Sequence, residues 1–186
     1  MSVLYGLRLA RLTPLGADGK LPATPEWKVI DSPQQAQVQP QVITGQQQEI
    51  RGGDKLLATV QEDDQYVGID LTFQDAVLSG EVMALIAGGT FEDGEYEPPA
   101  IGAPRTGFAM ELYVAQYEEG SNHESDLTGY AVFEFPNCKG TLASFTAQGQ
   151  NFLVPSYTIR ARDNKAEEKR FMKFKEFMKS LPAQST

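Results

Sequence analysis

A chain of 186 residues with 25 acidic and 16 basic side chains carries a net charge of -9, with one histidine, one cysteine and one tryptophan. A domain of this size buries about 70% of the surface its unfolded chain exposes, so it needs no staple to fold. One cysteine makes no intrachain disulfide, and with one histidine it falls short of the four ligands of a structural zinc.

The hydrophobic fraction of 41% and the aromatic fraction of 10% are those of a globular chain. The N-terminal run is interrupted by Arg8 and Arg11, carries no small-residue cleavage signal, and no apolar run is long enough to span a membrane. A soluble protein without a secretory leader is expected. The acidic balance argues against wrapping nucleic acid through phosphate neutralisation.

In chain order, a first strand is expected from Val3 to Leu12, ended by Thr13-Pro14 and the turn Gly16-Ala17-Asp18-Gly19, then a short strand around Trp27 and Val29. The segment from Gln34 to Gln48 has eight glutamines in fifteen residues and no charge. It reads either as a flexible low-complexity loop or as an extended arm that adds a strand to a neighbouring subunit through Gln37, Val38, Gln39 and Val42. Pro40 would confine such a strand to an edge. Leu56, Ala58 and Val60 alternate with polar residues, as do Val67, Ile69, Leu71 and Phe73, and Glu62-Asp63-Asp64-Gln65 between the runs predicts a hairpin.

Ser79 to Gly89 carries a cap serine, an early acid and a glycine stop, which predicts a short helix. Strands follow at Phe108 to Ala115, Tyr130 to Phe135, Leu142 to Gln148 and Phe152 to Arg162, with turns at Pro136 to Gly140 and Gln148 to Asn151 closing a meander of the last three. Phe171, Phe174, Met178 and Leu181 recur at spacings of three, four and three, one face of a helix. The expectation is a mainly β fold, a β-sandwich or barrel of antiparallel strands with one short flanking helix and a C-terminal helix. It divides into a β domain over 1–164, with a glutamine-rich loop or arm at about 31–54, and a basic amphipathic helix over 165–186. That tail holds six bases and three acids, so it is positive against an acidic body.

Signatures of chemistry are absent in specific ways. There is no phosphate-cradling GxxxxGK[ST], no GxGxxG after a strand and no GxSxG elbow. His123 lies in a polar acidic loop with no nucleophile placed for it, and Cys138 has no second histidine to activate it. The acidic runs at Glu62, Glu92 and Glu118 read as solvated loops, and the spacing before Asp93 fails that of a calcium loop. No enzyme, cofactor or metal is expected.

The stretch from Gly68 to Thr90, a strand feeding a short helix that stops at Gly88-Gly89, resembles the middle of major tail tube proteins of tailed phages from Gram-positive hosts. The stretch from Phe133 to Asn164, with its Phe-Pro-Asn-Cys-Lys-Gly turn and Pro-Ser-Tyr-Thr-Ile-Arg-Ala-Arg strand, is similar to the closing meander of that group. Together they cover close to a third of the chain. The resemblance implies a β-sandwich subunit that forms hexameric rings stacked into a tube. In that family four strands per subunit line the lumen, the tube surrounds a tape measure protein, and DNA passes through without specific binding.

Its implied partners are further copies of the chain, the tape measure protein, and the tail terminator and baseplate or tip proteins. Its implied location is the virion tail, after assembly in the host cytoplasm, with no membrane contact. On this reading the lumen wall is acidic and built from the polar faces of two hairpins, Lys55 to Phe73, with Thr59, Gln61, Asp70 and Thr72, and Leu142 to Arg162. Arg160 and Arg162 are expected at subunit contacts, paired with carboxylates, and Phe171, Phe174 and Met178 at an interface of the tail. The alternatives are a β-barrel module that binds a small ligand or carbohydrate, and a carboxylate hydrolase.

Overall fold

The structure, a computed structural model, describes residues 2–120 and 126–182. Its strands are β1 (Ser2–Pro14), β2 (Lys28–Ile30), β3 (Pro33–Ile43), β4 (Gln47–Gly52), β5 (Lys55–Gln61), β6 (Gln65–Asp75), β7 (Thr90–Glu92), β8 (Glu95–Glu97), β9 (Phe108–Glu118), β10 (Leu127–Gly140), β11 (Ser156–Ala161) and β12 (Lys173–Met178). The one helix among the described residues is α1 (Gly80–Ala87). The protein is therefore mainly β, with antiparallel pairing throughout.

One sheet carries the fold, in the order β2-β1-β9-β10-β11-β6-β3. The alternation read in the sequence decides which side of each strand is dry. Ile69, Leu71 and Phe73 of β6 are buried, as are Phe108, Met110 and Leu112 of β9 and Ile159 and Ala161 of β11. Ala10, Leu12 and Ile30 from one end of the sheet share a single core with Ile69, Leu71 and Phe73 from the other. Strands β1 and β3 also approach each other directly. The sheet is thus rolled around its core, and α1 closes it with Val82 and Ile86. The Ser79 side chain makes no capping bond, but its carbonyl accepts the Met83 N–H at 3.0 Å. Gly88, at φ 81, supplies the left-handed stop.

A second, smaller cluster lies around Leu9, Tyr113 and Val132, with Val29, Tyr130 and Leu181 against it. Neighbouring residues of β9 are therefore buried in succession, at Leu112 and Tyr113 and again at Ala115 and Gln116.

Four expectations are corrected. The C-terminal helix is instead β12, an antiparallel strand on β10, with Phe133 opposite Phe174 and Tyr130 opposite Met178. The helical spacing of the apolar residues is real, but β10 has an edge to fill between Tyr130 and Glu134, and that demand overrides local periodicity. Phe174 packs on Phe133 with ring centroids 4.9 Å apart, and the Phe177 N–H donates to the buried Gln116 Oε1 at 3.0 Å.

The run from Lys55 to Phe73 is not a hairpin. β5 pairs with β4, and β6 pairs with β3 and β11, so residues 33–75 form one long hairpin bent at an elbow. At the elbow the Gly45 N–H donates to Asp64 Oδ1 at 3.0 Å and the Glu62 N–H to the Gln46 carbonyl at 3.0 Å. Third, the glutamine-rich segment is largely the ordered strand β3 rather than a loop, and it pairs with its own β6 rather than being free to leave. Pro40 does sit on the outermost strand.

The fourth correction concerns the closing meander. Pro136 to Gly140 is not a turn but the end of β10, and from Leu142 to Pro155 only one isolated bridge, Ser144 with Ser156, is formed. Pro136 is tolerated there because the pairing with β9 shifts register between Phe135 and Cys138. On the opposite edge β12 stops at Glu134 and β11 begins at Cys138. A missing N–H costs nothing in that gap.

Candidate functional site

The most organised surface is the polar side of β3, β6, β11 and the end of β10. Directly opposed residues share a face, so the register builds polar ranks across strands. One rank runs Gln37, Thr72, Thr158, and the next runs Gln39, Asp70, Arg160, Lys139. Gln35, Gln74 and Ser156 make a third. Their apolar neighbours on the same strands, Leu71, Phe73, Tyr157 and Ile159, are buried underneath, which fixes this polar side outward.

Asp70 is the hub of the face. The Gln41 Nε2 donates to Asp70 Oδ2 at 2.9 Å, and the Arg162 guanidinium reaches Oδ1 at 3.3 Å while Nη1 donates to the Ile69 carbonyl at 3.2 Å. Gly68 makes this possible: a Cβ there would lie 2.4 Å from Arg162 Nη1 and 2.6 Å from the Ala161 carbonyl oxygen. Only a glycine lets Arg162 lie across β6.

Six of the residues singled out from sequence therefore come together here: Gln37, Gln39, Asp70, Thr72, Arg160 and Arg162. Members of both expected groups share this face, Gln37, Gln39, Arg160 and Arg162 from the subunit contacts and Asp70 and Thr72 from the lumen wall. Within these ranks Asp70 is the one carboxylate, beside the cations Lys139 and Arg160 and bonded to Arg162. Arg162 has the carboxylate partner foreseen for it, but inside its own chain.

The remaining candidates lie elsewhere. Thr59 and Gln61 are on β5 in the separate β4–β5 sheet, away from Asp70 and Thr72 in the fold. Val38 faces the core side of β3 yet is 39% exposed, and Val42 lies near the elbow, also exposed. Phe171 is half-buried against the main core, while Phe174 and Met178 are partly exposed on β12. His123 lies outside the described residues.

The β4–β5 hairpin is the second feature. Ile50 opposite Ala58 and Gln48 opposite Val60 put an apolar side on it, with Ile50 62%, Leu56 55% and Val60 63% exposed. The other side is mixed, carrying the exposed Leu57 beside Thr59 and Glu49, and Arg51 pairs with Glu49 at 3.1 Å. The outer edge of β3 has no strand partner among the described residues.

Sequence reasoning missed a third grouping on the far side of the sheet. Arg11, Glu111, Glu134 and Lys173 are directly opposed across β1, β9, β10 and β12. Arg11 bonds Glu111 at 2.6 Å and lies over the Trp27 ring, 5.4 Å from its centroid. The Tyr113 hydroxyl donates to Glu111 Oε2 at 2.6 Å. Lys175 pairs with Glu134. Burial opposes the Arg11 charge, yet the Glu111 hydrogen bond and charge outweigh it and raise the pKa further. Burial, then the bond to Glu111, raises Tyr113 well above the ordinary tyrosine range. Each residue occupied an unremarkable polar position in an alternating run, and only the register joins them.

Among the described residues no group of three or more histidine, cysteine, aspartate or glutamate side chains is placed to hold a metal. No helix among them is long and apolar enough to cross a membrane. Cys138 is fully buried, its Sγ 3.6 Å from the Phe135 carbonyl oxygen, and burial raises its pKa far above the ordinary thiol value. Comparison with known protein families finds none that matches this chain, and comparison with curated proteins finds no relative.

Proposed function

We propose that the chain is a structural subunit of a phage-type tail tube, a virion protein that self-assembles into hexameric rings stacked as a conduit for DNA ejection. Its partners on this reading are further copies of itself, the tape measure protein, and the terminator and baseplate or tip proteins at the tube ends. It assembles in the host cytoplasm and remains in the tail, without membrane contact or enzymatic work.

The observation that carries the proposal is the long hairpin of residues 33–75. Its β3 half exposes a strand edge of eleven residues that no described strand pairs, and its tip exposes an apolar side that no described residue covers. An isolated two-stranded hairpin is marginal in water, and an open edge of that length invites another strand. A closed ring of identical subunits pairs such edges and covers such arms. The glutamine, serine and threonine ranks of the β3-β6-β11 face suit a wetted wall that offers little apolar grip.

The ligand-binding barrel has less support. The middle of the rolled sheet is filled by Phe73, Phe108, Phe135 and Tyr157, each essentially inaccessible.

The test is the assembly state of the full chain. Sedimentation at rising concentration, followed by negative-stain imaging, is expected to give rings or hollow filaments. Replacing residues 46–62 by a short glycine turn is expected to abolish them while leaving the β-rich circular dichroism spectrum. A chain that stays monomeric to millimolar concentration in crowding agent, or a truncated arm that assembles as well as the whole chain, would defeat the reading.

A further inference from the structure

The polar face ends in a groove of about 720 Å³ where four cations converge, Arg105, Lys139, Arg160 and Arg162, with Asn137 and Thr158 between them. They arrive from three directions. Arg105 comes from the loop before β9, Lys139 from the end of β10, and Arg160 and Arg162 from β11 and its exit. The chain as a whole is at -9, so this concentration of positive charge runs against its composition.

The register sets the spacing of the cations. Lys139 and Arg160 are directly opposed on adjacent strands, so their backbones are roughly 5 Å apart. Arg160 and Arg162 are two residues apart along one strand, which is about 6.7 Å. Among the described residues only Asp70, bonded to Arg162 at 3.3 Å, pairs with any of these cations. Arg105 spends one N–H on the Gly140 carbonyl at 3.3 Å and keeps its other donors. The Lys139 and Arg160 side chains are exposed and make no hydrogen bond or ion pair to any other described residue. Four like charges held this close repel, and among the described residues the fold pairs only Arg162 with a carboxylate.

We propose that this groove binds phosphate oxyanions, presented either by the backbone of a nucleic acid or by a free phosphorylated small molecule. A single carboxylate would satisfy one cation and leave the others unpaired. A phosphate offers oxygens in several directions, matching donors that come from three elements, and arginine forks suit it. Two successive phosphates match the 5–7 Å spacing of Lys139, Arg160 and Arg162. The proposal does not depend on the tail-tube reading, because the groove is complete within one chain.

The test measures binding of the full chain to three probes at 50 mM salt: a fluorescein-labelled 20-base-pair DNA, inorganic triphosphate, and a polyglutamate peptide. The charge reversal Lys139→Glu/Arg160→Glu is expected to weaken phosphate binding at least tenfold with an unchanged melting temperature. Arg51→Glu/Lys55→Glu, on the arm, is expected to leave it unchanged. Lys139→Gln/Arg160→Gln carries the same test with a smaller loss should the reversal fail to fold. DNA affinity is expected to fall with salt by a logarithmic slope of roughly 0.9 per phosphate contact, and the groove variants to reduce that slope by about two contacts.

Preference for DNA at equal phosphate concentration assigns the groove to a nucleic-acid backbone, and preference for triphosphate assigns it to a small phosphorylated ligand. Tighter binding of polyglutamate would mean that the groove takes an acidic protein segment instead. That result, equal losses from the arm variants, or no binding of either phosphate probe would each overturn the proposal.

Discussion

Glu111 and Glu134 stand directly opposite each other on β9 and β10, and each is held by its own cation, Arg11 at 2.6 Å and Lys175 from β12. Like charges at opposed positions of a sheet destabilise it, so the two cations are what make the pairing tolerable.

The first prediction follows from that arrangement. Lys175→Ala is expected to cost about 0.5–1 kcal/mol, a figure held low because both side chains remain partly exposed. Glu134→Gln added to it is expected to recover part of the loss, since it removes the repulsion from Glu111 as well as the unpaired charge. Urea denaturation of the four members of the cycle measures the coupling. Strict additivity would mean that β12 is held by its backbone and by Phe174 alone.

Cys138 is fully buried near the end of β10, and its thiol is pushed far above the ordinary range by loss of solvent. Thiolate is the reactive species, so both access and ionisation are denied. The native chain is expected to leave a disulfide reagent unreacted over hours at pH 8 and to release one equivalent promptly in denaturant. Prompt labelling of the native chain would show that the end of β10 opens locally.

Burial was legible along β6, β9 and β11 but not along β5, whose alternating Leu56 and Val60 are exposed, and pairing by strand was not legible. Of the alternating Val67, Ile69, Leu71 and Phe73, the last three are core residues and Val67 is exposed, while Ser79 to Gly89 marked α1 closely. Alternation belongs to one strand, however, and carries no record of its partner. The neighbouring runs at Leu56 and Val67 therefore looked like a hairpin when each pairs elsewhere. Pro136 to Gly140 had turn composition, but a proline in a gap between ladders leaves a strand intact. The polar face was legible as separate residues, Gln39, Asp70 and Arg160, while their alignment in one rank depends on contacts between residues far apart in the chain. Lys139 and Arg105 gave no signal because single cations in unremarkable segments look the same whether or not they converge.

Tyr157 is fully buried, and its hydroxyl has no hydrogen-bond partner among the described residues. Burial, then the charges of Asp75 and Tyr96, pushes its pKa up to about 12. An unsatisfied hydroxyl costs roughly 1–3 kcal/mol, so Tyr157→Phe is expected to be neutral or to stabilise by up to about 1 kcal/mol, where most core substitutions lose stability. The folded state holds this proton more tightly than the unfolded chain, whose tyrosine titrates near 10. Stability from this group is therefore complete below pH 10 and lost as pH rises toward 12, and the phenylalanine variant is expected to lack that decline. Thermal melts at pH 7 and across pH 9–12 test both statements. A loss above about 1 kcal/mol at pH 7 would mean that the hydroxyl has a strong partner.

Asp75 ends β6 with 3% of its surface exposed, its Oδ1 accepting the Ser32 hydroxyl at 2.7 Å. Burial raises its pKa above the ordinary 3.8; the hydrogen bonds from Ser32 and from the Val77 and Ala76 backbone pull the other way without cancelling it. The folded chain then binds this proton more tightly than the unfolded chain, and the sign of the pH dependence is fixed. At pH 7 the ionised carboxylate burdens the fold, and the burden lifts as pH falls through the raised value toward 3.8. Asparagine can accept the Ser32 hydroxyl but does not titrate. The stability of the natural chain minus that of Asp75→Asn is therefore expected to rise as pH drops from 7 to 4. Other groups common to both chains cancel in that difference, so urea denaturation of the pair at matched pH isolates Asp75. A difference that stays flat, or that grows toward neutral pH, would show that the hydrogen bonds to the carboxylate outweigh its burial.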